Sequence, residues 1–411
     1  MFDIIIIGSG IAGLHCAYKL QTHTKNMCVL EKDCRIGGRI FTVTKDGARM
    51  EAGAGRFNQK HKLLHQLIHD LGLEQNKIEI ASDIVFRPSL NTKNNTKYSG
   101  KNPFDILEPV FEKGLKTSTK ILQNQTFIKF AQNILSKSDA EFVLDSFGYY
   151  EQLVHMNAFD ALKLFKGMHT DNTFYSMKTG LSSITEELCN KIDVPIYTNR
   201  EVYKIDYDDS LDYPFQIYTN ERKTCYSCKH CICAIPKLAA NKLSLFKPLT
   251  QTMNCVGIKI LCRIYAKFDK KDIWFRDIPK TTTNNNNRYI IPIDRENGLI
   301  MIAYADSIYA KKWKGLSKTE MVSQLKKNIK DTFGISIATP SFVQAFYWET
   351  GTAFWKPGCD SKELSHKMLQ PLDYIPVYVC GENFSETQGW MEGALETSTQ
   401  VIQKVLSHYK L

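Results

Sequence analysis

The period of the hydrophobic positions changes several times along the chain, and each change predicts an element. Residues 3–7 read as a parallel strand covered on both faces, Ile11 to Thr22 carry helical periodicity, and Met27 to Glu31 supply a second strand, which together make a βαβ opening. Leucines and isoleucines at 63, 64, 67, 68 and 71 mark an amphipathic helix within Lys60 to Leu73, and residues 101–170 continue in a mainly helical register. After a turn at Gly180 come a helix over 184–191 and strands over Pro195 to Thr198, Glu201 to Asp206 and Phe215 to Tyr218. Strand-like stretches follow at Cys255 to Phe268, Arg288 to Ile293 and Leu299 to Ala305, with Asn284 to Asn287 as a loop. A last strand, Pro376 to Cys380, leads through a glycine-containing turn into a helix from Gly393 to Ser407. The polar stretch Asn91 to Gly100 reads as a surface loop.

A chain of 411 residues can bury cores in two domains, and 43% hydrophobic with 23% charged residues exclude disordered and collagen-like classes. The formal net charge is +10, but it is dispersed: the densest basic stretch, Lys311-Lys312-Trp313-Lys314, holds three cations. Neither nucleic acid nor a membrane is therefore an expected partner. Twelve cysteines without regular spacing suit a reduced compartment better than a disulfide framework. Residues 2–7 run straight into glycines instead of forming the apolar core of a secretory leader, so a cytoplasmic location is expected.

Gly8-Ser9-Gly10-Ile11-Ala12-Gly13 lies between the first predicted strand and the first predicted helix. There the glycines serve a tight turn, backbone approach to a pyrophosphate and close helix–strand packing, with phosphate meeting the helix N-terminus. Glu31, followed by Lys32, ends the second strand, where a carboxylate can accept hydrogen bonds from an adenosine ribose. A few residues on, Arg35-Ile36-Gly37-Gly38-Arg39 places two glycines between two guanidinium groups, suited to approach the same diphosphate from its other side.

With Glu51-Ala52-Gly53-Ala54-Gly55-Arg56, Lys259, and the C-terminal Val379-Cys380-Gly381-Glu382 and Gln388-Gly389-Trp390-Met391-Glu392-Gly393-Ala394, these motifs make the chain resemble the flavin-dependent amine oxidase family, which includes monoamine, polyamine and L-amino-acid oxidases. The resemblance covers nearly the whole chain. It implies an α/β protein with a Rossmann-like, glutathione-reductase-type FAD domain assembled from residues 1–55, 172–249 and 350–411, plus an α+β substrate domain with a mixed sheet and helices from 56–171 and 250–349. It implies FAD held by Gly8, Gly10, Ile11, Ala12, Gly13, Glu31, Lys32, Arg35, Gly38, Arg39, Gly53, Ala54, Gly55, Arg56, Val202, Gly381, Glu382, Trp390 and Met391. Val202 matches a position whose backbone contacts adenine, and Glu382 the acidic residue near the ribityl and phosphate groups.

Within the family, the substrate motifs resemble those of L-amino-acid oxidases. Arg56 matches the arginine that holds the substrate carboxylate, with a structural pairing to Glu51 as the alternative. Tyr304 matches the tyrosine sharing that carboxylate, and Gly389 and Trp390 the backbone carbonyl and indole on the amine side. Lys259, in an apolar strand where a lysine is costly without a partner, matches the lysine that holds a water beside flavin N5; snorkelling from a sheet edge is the alternative. The family's covalent flavin attaches to a cysteine before a Pro-Gly pair; here Thr350 to Gly358 has none and Cys359 follows, so the FAD is expected to be non-covalent. Gly351 stands where one wall tyrosine would be, leaving Trp390 with Phe354 or Trp355 as aromatic walls.

Two metal-like patterns do not change this. Cys225, Cys228, Cys231 and Cys233 are too crowded for paired zinc knuckles, and Cys231 and Cys233 alternate in a strand as buried small residues would, while His61, His65 and His69 read as a partly solvated helix face, so no metal is expected. The expected reaction is oxidation of the Cα–N bond of an L-amino acid, with oxygen reduced to peroxide and a 2-oxo acid and ammonia released. A polyamine or other amine oxidase is the alternative, with acidic instead of basic pocket lining, and a non-catalytic flavin-stabilised binding protein a remote one. The resemblance leaves a homodimer open.

Overall fold

The computed structural model describes residues 1–81, 83–90, 96–168, 173–221 and 225–409. Strand β1 (Phe2–Ile7) is followed by helix α1 (Ile11–Leu20) and strand β2 (Met27–Leu30). Alternate side chains of β1 enter two different cores: Ile4 and Ile6 pack beneath α1, whereas Ile5 and Ile7 pack on the opposite face. This is why the strand reads as a continuous apolar run and not as an alternation. Further along the chain, α2 (Lys62–Asp70) and the short α3 (Tyr150–His155) precede four long elements: β3 (Cys225–Cys233), β4 (Val256–Lys267), β5 (Leu299–Asp306) and β6 (Phe342–Trp355). Helix α4 (Met391–Tyr409) follows them.

The larger sheet has seven strands. In order they are 202–207, 215–219, β3, β1, β2 and 196–197, with 377–379 also pairing to β3. The β1 strand lies parallel between β2 and β3, and Ile5 stands opposite Cys231 and Ile7 opposite Cys233. Cys231 and Cys233 are fully buried in the core shared with Ile5 and Ile7, so they serve as small packing residues, and no metal-capable cluster exists among the described residues. The six-stranded second sheet runs β6, β4, β5, 289–294, 281–282 and 85–86, antiparallel except for its last pair. Its strand β6 passes through position 350 and delivers Ala353 and Trp355 into the core of the first sheet. Short helices between 108 and 166 form a separate aromatic core around Phe127, Phe147 and Phe165. Among the described residues, no helix is long and apolar enough to cross a membrane.

Three expectations need correction. Of the stretch read as a loop at Asn91 to Gly100, positions 91–95 lie outside the described residues, and Tyr98 is buried, stacked on Phe142 at 4.1 Å. The helix expected over Lys60 to Leu73 is shorter, so His61 lies before it. The cysteines are not all reduced: Cys255 and Cys359 form a disulfide. The antiparallel register explains this pair. Val256 of β4 stands opposite Trp355 of β6, and Lys356 N–H donates to the Cys255 carbonyl at 2.9 Å, bringing the residues just outside the two strands together.

The β1–α1 turn shows why its glycines differ in kind. Gly8 has φ +100°, and a Cβ on Gly13 would stand 1.9 Å from the Gly8 carbonyl oxygen, whereas a Cβ on Gly10 meets nothing within 4 Å. Gly13→Ala is expected to lower stability by about 1–3 kcal/mol, the range for overpacking, and Gly10→Ala to leave the unliganded protein near wild type. Denaturant unfolding of the unliganded protein checks the contrast; equal losses at both positions would remove this account of the turn.

Candidate active site

A cavity of about 770 Å³ lies between the two sheets. Its wall includes Gly10, Ile11 and Ala12 at the start of α1, then Arg39 and the stretch Gly53, Ala54, Gly55 and Arg56. Lys259 comes from β4 and Tyr304 from β5, while Gly381, Glu382, Gly389, Trp390 and Met391 come from the segment leading into α4. Residues expected from five separate motifs thus converge on one space.

The other expected cofactor residues do not line it: Gly8, Gly13, Glu31, Arg35 and Gly38 build the turns behind it, and Lys32 and Val202 lie outside those turns. Glu31 accepts hydrogen bonds from Ser9 N–H (2.8 Å), Ser9 Oγ (2.7 Å) and Asp33 N–H (2.9 Å), which pins the first glycine turn to the end of β2. Gly8 and Gly13 are spent on the packing described above. Gly38, with φ +58°, lets its chain approach Gly10: a Cβ would come 3.3 Å from Gly10 Cα, and Gly37 N–H donates to Ser9 O. Arg35 bonds the carbonyls of Ile36 and Gly38 and lies 4.0 Å over the Phe41 ring, so it stiffens the second glycine turn. Lys32 is exposed and pairs with Asp33. Val202 begins a strand two residues beyond Arg200, whose N–H bonds the Glu31 carbonyl.

Glu382 is the most heavily bonded group in the wall. Its carboxylate accepts from Arg39 Nη1 (2.6 Å), Ala353 N–H (2.8 Å), Gly389 N–H (2.9 Å) and Asn383 Nδ2 (2.6 Å). Burial pushes its pKa up, but the Arg39 guanidinium and these hydrogen bonds outweigh it and hold the carboxyl below its ordinary range. Arg39 also donates to Gly351 O at 3.0 Å. No tyrosine fits at 351, where a Cβ would already stand 2.5 Å from Leu261 and 2.8 Å from Lys259 O.

Lys259 does not snorkel. It is 3% exposed, its ammonium donates to Gln152 Oε1 of α3 at 2.8 Å, and it lies 5.0 Å over the Tyr149 ring. Burial pulls its pKa down, against the pull of Asp306, Tyr149 and other acidic groups. Burial in turn pushes Asp306 up to about 6, although Lys259, Arg288 and the Glu151 amide oppose it.

Arg56 makes no pair with Glu51, whose carboxylate takes Leu181 N–H and Thr42 Oγ1 instead. The Arg56 guanidinium lies 4.0 Å over the Phe174 ring and donates to Tyr149 Oη at 3.2 Å. Phe174 stacks in turn near Trp390, whose other neighbour is the edge of His61 at 4.8 Å. His61 is therefore buried and not on a solvated helix face; burial and nearby His65 pull its pKa down to about 4. Phe354 and Trp355 are also misplaced as walls. Phe354 packs over Gly257 in the helical core, and Trp355 is fully buried with its indole N–H on Ser385 O. The aromatic side chains lining the cavity are Tyr149, Tyr265, Tyr289, Tyr304, Trp348 and Trp390.

The cavity fits a flavin dinucleotide on its own geometry. The N-cap of α1 is Gly10, with no side chain over the first amides and no acidic residue in the first turn, so the donor end of the helix opens on the cavity beside Arg39. Sequence reasoning missed Gln152, Tyr149, Asp306 and Arg263; a polar residue in a mainly helical stretch gives no sign that it meets a strand lysine more than a hundred positions away.

The family described as "Flavin containing amine oxidoreductase" matches residues 11–406. An L-amino-acid oxidase from Bothrops moojeni is 21% identical across 98% of this chain and 89% of its own length. Mitochondrial protoporphyrinogen oxidase from Nicotiana tabacum and the L-amino-acid oxidase of Mus musculus are each 29% identical over shorter stretches, so that the chain spans 31% and 24% of their lengths. Among solved structures, putrescine oxidase bound to putrescine superposes with a TM-score of 0.77 at 15% identity, covering 99% of both chains, and a double mutant of the same enzyme gives 0.79 at 16%. At those identities the likeness establishes the fold.

Glu382→Gln is expected to destabilise by on the order of 3 kcal/mol, because it removes one partner of a buried ion pair. The sign of the pH effect follows from the lowered pKa. The contribution is fully present above the unfolded carboxyl's value and is lost as pH falls through the folded one. Unfolding measured from neutral to acid pH should show the gap between wild type and variant narrowing on the acid side; a constant gap would mean that Glu382 is not the titrating group.

Proposed function

Because the chain belongs to the flavin-containing amine oxidoreductase family, we propose that it is an FAD-dependent oxidase acting on the Cα–N bond of L-amino acids. The observation that carries this reading is Arg56. It faces the cavity, rests on an aromatic ring, spends one hydrogen bond on a tyrosine hydroxyl and has no carboxylate partner among the described residues. A planar fork left free in this way suits a substrate carboxylate, which a simple amine does not have. Cationic side chains outnumber acidic ones around the cavity, the opposite of what a diamine would select.

Ala12, Arg39 and Glu382 would hold the FAD along with the α1 N-terminus, and the bound cofactor supplies the hydride acceptor and the route of electrons to oxygen. Cys359 is occupied by its disulfide, in keeping with a flavin held without a covalent bond. The protein's own part is placement. Arg56 and Tyr304 take the carboxylate, with Tyr149 aiming the guanidinium. Trp390, set between His61 and Phe174, walls the amine side. Lys259, anchored by Gln152 and with its pKa pulled down by burial, holds a proton and a water at Nζ. The imino acid then hydrolyses to the 2-oxo acid and ammonia outside the oxidative step.

Peroxide formation with a panel of L-amino acids and the amines derived from them by decarboxylation tests this reading. Wild type is expected to favour the acids, and Arg56→Met to lose about ten- to a hundredfold in kcat/KM on them while retaining FAD, as expected for a charge-assisted bond of about 1.5–3 kcal/mol. Equal rates on amines, or an unimpaired Arg56→Met, would make this an amine oxidase instead. Acid precipitation should release all the yellow flavin into the supernatant; colour in the pellet would refute non-covalent binding.

A further inference from the structure

Arg56 is not the only unneutralised cation in the cavity. Lys280, from the segment just before strand 281–282, also lines it, with its ammonium 5.7 Å from the Tyr289 ring centroid. The ammonium has no hydrogen bond or ion pair among the described residues, and Asp83, which lines the same cavity, makes none with it. Its backbone is fixed, because the Lys280 carbonyl accepts Val85 N–H at 3.0 Å. Arg56 and Lys280 are close enough to repel: burial and the Arg56 charge together pull the Lys280 pKa well down. Arg56 and Lys280 thus share one cavity in which cationic groups outnumber acidic ones, and a bound anion would offset the burial and repulsion that oppose the Lys280 ammonium.

The contacts that link the two charges run through aromatic rings: Arg56 donates to Tyr149, and Lys280 lies beside Tyr289. Tyr289 stacks on Tyr304 at 5.7 Å and lies 5.4 Å from Tyr149, the residue that aims Arg56. A short methylene chain can lie against such rings while its two ends reach the two cations. Arg263, 4.7 Å over Tyr304 and bonded to the Glu51 carbonyl, adds positive potential behind the same rings.

We propose that Lys280 anchors a second carboxylate, so that the substrate class is L-amino acids with an acidic side chain, the α-carboxylate on Arg56 and the distal one on Lys280. This rests on the Arg56 reading above. A compact ammonium facing an aromatic wall recognises a terminal charge, and a neutral amide of the same shape lacks that charge.

Binding without turnover separates the parts. Glutarate and butyrate are titrated against the holoenzyme by perturbation of the flavin spectrum, for wild type, Lys280→Met and Lys280→Arg. Anaerobic flavin reduction is then compared for L-glutamate, L-glutamine and L-leucine. Glutarate is expected to bind wild type at least about tenfold tighter than butyrate, and L-glutamate to outpace L-glutamine by a similar factor. Lys280→Met should abolish both preferences with butyrate binding unchanged, and Lys280→Arg should keep them. Equal binding of the two acids by wild type, or an equal loss of both in Lys280→Met, would overturn the assignment. If L-leucine reduces the flavin and dicarboxylates show no advantage, only the Lys280 site fails. If neither acid binds and only amines reduce the flavin, the Arg56 reading fails as well.

Discussion

One buried carboxylate holds the parts of this protein in register. Glu382 accepts a guanidinium from the N-terminal segment, a backbone amide from the second sheet at Ala353, and another from the turn that carries Trp390. An isolated carboxylate at that depth would cost several kcal/mol; here every approach to its oxygens is taken by a donor, so desolvation is offset only when all three segments are in place. The position of the indole wall, the end of β6 and the inner face of Arg39 are thereby set by the same atoms.

The cavity contains two kinds of cation, and the difference between them organises its chemistry. Arg39 has its counter-ion in the protein, and Lys259 has the Gln152 oxygen with Asp306 nearby. Arg56 and Lys280 have no carboxylate partner among the described residues and lie beside aromatic rings, which favour a positive charge without neutralising it. Satisfied cations stiffen the wall, and unsatisfied ones create a field that a ligand must answer.

What local order encodes was legible in advance. The strand through residues 3–7, the glycine turns and the C-terminal helix follow from period, flexibility and capping, all set within a few neighbouring positions. The convergence of Arg56, Lys259, Tyr304, Glu382 and Trp390 was legible only through motif resemblance, since no local rule joins them. Residues whose meaning is tertiary were misread or missed. His61 lies at a helix start and is buried against an indole; Phe354 and Trp355 are claimed by cores on either side of a strand; and Gln152 is anonymous until α3 docks on β4. The disulfide belongs here too, because the proximity of Cys255 and Cys359 depends on strands paired across 104 positions of chain.

Helix α1 packs against α4, with His15 Nδ1 and Ser398 Oγ 2.8 Å apart across a sequence separation of 383. On a ribosome, therefore, the first βα unit emerges long before the helix that covers its apolar face. Until residues 377–409 arrive, the sheet lacks a strand beside β3, and Leu14 and Ala17 lack the side chains of Leu395 and Val401. Contacts of such separation form slowly and leave greasy surface open meanwhile. The cavity wall built by the first βα unit is thus among the last parts of the molecule to become whole.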